Sequence, residues 1–239
     1  MIALQKPLEI LPMTIETPGA ASGSATVKVW DLPTRLFHWA LVLLVIAMVW
    51  TGWTGKLDLH MTLGQAVLSL VLFRLVWGFT GNRYARFGEF VTGPLTCLRY
   101  LGSLFSSTSD RHVGHNPAGG YAVLAMLLLL AVQGGSGLFT SDDIVTDGPL
   151  FSRVSSGTAA LLGTIHRRTI WILLGVIGLH LLANLFYLVV KKNNLIGPMV
   201  TGRKIAPAAA DAQGGHPLLA LAILAVCAAI VFGGIALLK

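Results

Sequence analysis

Five blocks of apolar residues stand out along the chain: about Leu36 to Thr54, His60 to Thr80, Gly119 to Phe139, Ile165 to Val190 and Pro217 to Leu238. A hydrocarbon core of ~30 Å is crossed by about 20 apolar residues, so each block is long enough to span a bilayer. Main-chain groups in lipid must bond within their own segment, so each block predicts a helix. The fourth is long enough to tilt or to extend past one interface. A very short turn joins the first two spans, which makes them antiparallel neighbours. Longer connections follow: 81–116 with Arg83, Arg86, Arg99 and Arg111, then 140–164 with Asp142, Asp143 and Asp147. Residues 202–216, rich in Ala, Gly and Pro, read as a linker to the last span. That span carries no His or charge within its apolar run and reads as an appendage to a four-helix unit. The fold class expected is therefore all-α, a transmembrane four-helix bundle with a fifth C-terminal helix. Its units are an N-terminal arm (1–27), the bundle (28–204), a linker (205–216) and the fifth helix (217–239).

Composition agrees. Of 239 residues 54% are hydrophobic and 11% charged, and the mean hydropathy is +0.74. Soluble domains carry about 25% charged residues, so a soluble enzyme and a disordered chain are both set aside. The net charge of +7 would suggest nucleic acid in a soluble protein. Here the basic residues lie in short runs beside the apolar blocks, which points to a membrane and to no nucleic-acid partner. Residues 1–27 lack a basic start followed directly by an apolar run, so they do not read as a secretory signal. Lys and Arg fall mainly on one side: Lys6, Lys28, Arg35, Arg83, Arg86, Arg99, Arg111, Lys191, Lys192, Arg203 and Lys204, against Lys56, Arg153, Arg167, Arg168 and Lys239. This predicts a cytoplasmic N-terminus and a C-terminus on the opposite side of the membrane. Cys97 and Cys227 form no CxxC or CxxCH, which excludes covalent c-type haem and argues against a cysteine zinc site.

Ionisable groups inside apolar spans are costly and mark function. His166 and His180 are 14 residues apart on the fourth span. At ~100° and 1.5 Å per residue they face within roughly 40° of one another and differ in depth by ~21 Å. His60 opens the second span at the outer level and His38 lies near the inner end of the first. The expected pairs are His60 with His166 outside and His38 with His180 inside. Two imidazoles per level suit the axial positions of a haem better than zinc, which wants four tetrahedral ligands. Gly64, one turn from His60, and Gly175 and Gly178, between the other two histidines, offer either close approach of a ring or plain helix packing. Arg74, 14 residues after His60, lies at the inner level without an acidic neighbour in its span. A haem propionate is its favoured partner; snorkelling to the interface is the alternative. Arg167 and Arg168 flank His166 and serve the outer haem in the same way or mark the interface. His112 and His115 are left as haem contacts, proton carriers or loop anchors. Gln133, Asn184 and Tyr187 read as polar bridges between helices, and His216 as solvated.

These residues fall in a recognisable series: TRLFHW at 34–39, HMTLG at 60–64, FRLVWG at 73–78, GNRYARF at 81–87, GHNPAGG at 114–120, LLGTIH at 161–166 and IGLHLLANLFYLVVKKNNL at 177–195. Together they resemble the prokaryotic cytochrome b561 group, which includes the b-type subunit of membrane nickel–iron hydrogenases. The resemblance covers roughly 28–204. It implies a four-helix bundle in a bacterial inner membrane, its C-terminus periplasmic, with two non-covalent b haems on His38, His60, His166 and His180, passing electrons between a quinone pool and a soluble partner. GHNPAGG and the fifth helix look like a subgroup whose partner is a c-type cytochrome; a hydrogenase or another periplasmic oxidoreductase is the alternative. A quinone is expected near the inner haem, within reach of Arg35, Arg74, His112 and His115. A non-haem metal or proton transporter is the remaining rival. It calls for acidic residues inside the spans or broken helices, whereas the acidic residues lie in the loops.

Overall fold

The computed structural model describes residues 24–104, 112–142, 146–212 and 214–239. Most of the expected arm (1–23, with Lys6), Arg111 and Asp143 lie outside the described residues. A short strand, β1 (Ser24–Lys28), leads into α1 (Leu32–Trp53) and α2 (Leu57–Thr80). Small helices α3 (Phe87–Phe90) and α4 (Pro94–Ser103) precede α5 (Pro117–Gly137) and α6 (Ser156–Val189). The chain continues through α7 (Ile196–Thr201) and β2 (Arg203–Pro207) to α8 (Pro217–Ala228) and α9 (Gly234–Leu238). A π-helical turn over Ala229–Gly233 makes α8 and α9 one span, Pro217–Leu238. All five expected spans are helices long and apolar enough to cross a membrane.

Local chemistry sets the helix starts. Asp31 Oδ1 accepts from Thr34 N at 2.8 Å and Pro33 occupies the first turn, so α1 begins four residues before the apolar block. Asn116 Oδ1 caps α5 through Gly119 N at 2.8 Å, with Pro117 behind it. Ser155 Oγ caps α6 through Thr158 N at 3.2 Å. The helix therefore starts nine residues ahead of the expected Ile165. Its first turns are small and polar, good for a helix but invisible to a hydropathy count. His166 lies in its third turn rather than at its start, and the connection shortens to 138–155.

Val67, Val71, Leu127, Leu130 and Leu173 form the core where α2, α5 and α6 meet, with α1 residues packed on it. The fifth span packs outside this unit, burying Ala220 and Cys227 against Phe73 and Trp77 of α2. Its end is held by Arg153 Nε, which donates to Leu238 O at 2.6 Å. The expected linker is partly a strand. β2 pairs antiparallel with β1, Lys28 opposite Arg203, so the residues before the first span are tied to those after the fourth. Beneath the strands Asp31 and Asn82 are both 0% exposed. Asn82 N donates to Asp31 Oδ2 at 3.4 Å, and Asn82 Nδ2 donates to Val29 O at 2.9 Å. This strand-bearing end is the one expected inside, and is called the inner end below.

Candidate functional site

The outer level lies opposite the strands. α2 delivers His60 in its first turn and α6 delivers His166. The ring centres are 6.2 Å apart with planes nearly perpendicular, at 87°. His60 Nδ1 lies 3.1 Å from Met48 O and 3.2 Å from Thr51 Oγ1. His166 Nδ1 lies 2.8 Å from Gln133 O. A carbonyl only accepts, so each ring carries its proton on Nδ1 and its lone pair on Nε2, which on His166 faces Gln133 Nε2 at 3.3 Å. Both rings press against bare backbone. A Cβ on Gly52 would lie 3.2 Å from His60 Cε1, and one on Gly137 would lie 2.9 Å from His166 Cε1.

These rings open on a cavity of about 600 Å³, whose wall includes Gly64, Gly134, Gly163, Leu173 and Arg167. That volume lies within the range of about 300–1,000 Å³ usual for cofactor sites. A nitrogen–metal bond of about 2 Å, with the ring centre roughly 1.1 Å behind the nitrogen, sets two rings sharing a metal about 6 Å apart. The observed spacing, the fixed tautomers and the cavity therefore fit a bis-imidazole haem. Arg167 folds back along α6 so that its Nη1 lies 3.2 Å from where a Gly163 Cβ would be, placing a cation in the cavity wall. Gly64 also lines the cavity, where an added Cβ would meet only Met48 Cε at 3.5 Å.

At the inner level, His38 and His180 are near enough to interact electrostatically. Their surroundings differ from those of the outer pair. His38 Nδ1 is buried without a partner; the amide contact is shared, Asn184 Nδ2 lying 3.3 Å from His180 Nε2 as Gln133 Nε2 does from His166 Nε2. Arg74 is 3% exposed; its Nη2 donates to Ala85 O at 3.0 Å, its guanidinium stacks 4.9 Å from Phe87, and Nη1 is buried without a partner. Snorkelling is thus not its mode, since the head is buried too. An acidic neighbour missed in the sequence, Asp31, acts on it from outside its own helix.

His115 stands beside Arg74 and the inner pair, its ring 4.7 Å from both Trp30 and Phe90. Burial first, then the positive charge of Arg74, pushes it down to about 3. It is neutral at physiological pH and packs as an aromatic. His112, exposed, and His115 line a second cleft of about 420 Å³ with Arg83, Tyr84, Glu89 and Phe90. Arg35 is engaged elsewhere: its Nη1 donates to Val200 O at 2.5 Å and ties α1 to α7. Arg168 is exposed. An added Cβ at Gly175 or Gly178 would meet nothing within 4 Å, so neither glycine serves tight helix packing. Among the described residues no three His, Cys, Asp or Glu side chains gather as a metal-ion site.

Sequence reasoning missed Thr51, Gly52, Gly137 and the carbonyl of Gln133, whose side chain bridges α5 to His166 of α6 as expected. One signal was present: Gly52 follows His38 by the same 14 residues that separate His166 from His180, and so shares its face at the outer level. Nothing comparable marks Gly137, and a main-chain acceptor such as Met48 O has no side-chain signature.

The family model described as prokaryotic cytochrome b561 matches residues 29–202. A probable Ni/Fe-hydrogenase B-type cytochrome subunit of Bradyrhizobium diazoefficiens is 24% identical over 227 residues, covering 77% of this chain and 88% of its own. A protein of the same description from Azotobacter chroococcum is 23% identical, with 84% and 96% covered. No solved structure matches the chain.

Proposed function

The chain belongs to the prokaryotic cytochrome b561 family, a haem-containing membrane cytochrome b of electron transport, and from that premise we propose how this bacterial multi-pass protein works. It carries two b haems, one between His60 and His166 and one between His38 and His180. It passes electrons across the bilayer between a quinone and a soluble redox protein. The observation that carries this reading is the outer pair: two imidazoles of fixed tautomer, 6.2 Å apart, facing a cavity of about 600 Å³.

When bound, haem supplies the one-electron chemistry; the chain supplies position, ligands and surroundings. Met48 O and Gln133 O orient the outer imidazoles, and Gly52 and Gly137 let them seat. The cavity wall is mostly apolar, with Gly64 in it, and Arg167 at its edge would meet a haem propionate. At the inner level the buried, unpartnered Nη1 of Arg74 is a donor in want of an anion, as a propionate would be. The cleft beside the inner pair suits a quinone head group. Of the four residues expected to serve a quinone, His112 and His115 line that cleft, and His112 is exposed at it to exchange protons. Arg35 is committed to α7. The strand-bearing end, rich in Lys and Arg, faces the cytoplasm.

Two readings of the soluble partner remain. A c-type cytochrome follows from the resemblance of the GHNPAGG segment. A nickel–iron hydrogenase is favoured by the relatives, which are probable Ni/Fe-hydrogenase B-type cytochrome subunits. The test is the reduced-minus-oxidised spectrum of purified protein with haem counted per chain. Sharp b-type bands and two haems per chain are expected; a featureless spectrum overturns the reading. Co-purification of an untagged partner then separates a c-type cytochrome from a hydrogenase.

A further inference from the structure

The two imidazole pairs are held by different kinds of neighbour, and this difference has an electrical consequence. At the outer level both Nδ1–H groups point at main-chain carbonyls, Met48 O at 3.1 Å and Gln133 O at 2.8 Å. Thr51 Oγ1, in a residue 0% exposed, stands 3.2 Å from the same His60 nitrogen. An imidazole whose N–H is bonded to a carbonyl is a more basic ligand, with partial imidazolate character, and favours the oxidised metal. At the inner level His38 Nδ1 has no partner, and among the described residues neither inner ring is bonded to a carbonyl. A buried cation stands there instead: Arg74 is 3% exposed and acts on His115, which in turn neighbours His38 and His180. Buried positive charge favours the reduced metal. Two charges oppose this ordering and are the weaker. Arg167, at the outer cavity, is exposed and screened by water. Asp31, near Arg74, has its carboxylate bonded by the amides of Thr34 and Asn82.

We infer that the outer pair sets the lower of two midpoint potentials and the inner pair the higher, with Thr51 as a positioning residue that deepens the outer one. An electron delivered at the outer level then moves downhill to the inner level. The inference rests on the two-haem reading above, and its failure is separable from the failure of that reading.

The test is potentiometric titration of the haem bands, followed without any turnover assay. Wild-type protein should titrate in two waves. His180→Ala should keep only the lower wave, and His60→Ala only the higher. The reverse assignment, or two haems titrating together, overturns the inference while leaving the two-haem reading intact; a wild-type chain with fewer than two haems overturns that reading itself. Thr51→Val, nearly isosteric, decides the matter should the histidine variants lose all haem. It should raise the lower wave alone and leave the haem count unchanged. A shift confined to the higher wave assigns that wave to the outer pair and overturns the inference; no shift overturns the part that names Thr51.

Discussion

The two ends of the bundle solve different problems. At the outer end the chain is thin: a tight turn at 54–56 and the connection 138–155 surround a cavity kept open by glycines and main-chain carbonyls. The inner end is thick. Two strands, Asp31 with Asn82, and the tilted Trp30–His115–Phe90 ring cluster close it over the buried Arg74. Precision toward a planar ligand is thus concentrated at one end and cohesion of the four-helix unit at the other. The contrast follows from what each end must bury. A ring seated on bare backbone needs space. A buried cation and carboxylate need donors and acceptors from every neighbouring segment.

Substitutions at the two ends should therefore separate haem content from stability. The largest effect is expected for His166→Ala, which should halve haem content per chain with the remaining haem spectrally intact; retention of two haems would break the assignment. Gly137→Val should come next. Its Cβ would meet His166 Cε1 at 2.9 Å, so outer haem content should fall several-fold while the thermal midpoint of the haem-free protein changes little. Asp31→Ala should do the opposite. Losing the α1 cap and the acceptor for Asn82 N costs about 1–3 kcal/mol, seen as a lower thermal midpoint in detergent with the outer haem bands unchanged. Arg74→Leu should lower the potential of the inner haem alone, since a cation favouring the reduced form is gone; a titration with both potentials unmoved would exclude the propionate contact. The smallest effect is expected for Arg167→Ala, a slight fall in outer haem affinity in hemin titration, because that guanidinium is exposed.

Much of this was legible in the chain. Five spans follow from apolar length alone, and the depth pairing of His60 with His166 follows from helix rise and a 14-residue spacing. What escaped has physical reasons. The start of α6 at Ser156 is set by a serine cap and small residues that carry no hydropathy signal. The β1–β2 pairing joins segments 175 or more residues apart and too short to show a strand pattern. Asp31 goes unremarked in the sequence, because the fold alone brings Asn82 against it and buries it at the start of α1. Gln133 does bridge helices, its Nε2 lying 3.3 Å from His166 Nε2, but its carbonyl, which His166 Nδ1 also uses, has no side-chain signature. Residues 81–116 read as a plain connection, yet they hold α3 and α4; Pro94 marks the start of α4, but the placing of Phe87 on Arg74 has no local signal.

The strand register carries one more consequence. Lys28 stands opposite Arg203, and the family match begins and ends just inside that pair, at 29 and 202. Start and finish of the four-helix unit are thus neighbours across a single ladder rung, about 5 Å apart. Such a unit is topologically close to a ring. Joining its ends through a short peptide and cutting it at an exposed connection would give a circularly permuted protein with the same helix contacts, to which the fifth span could be grafted or from which it could be left off.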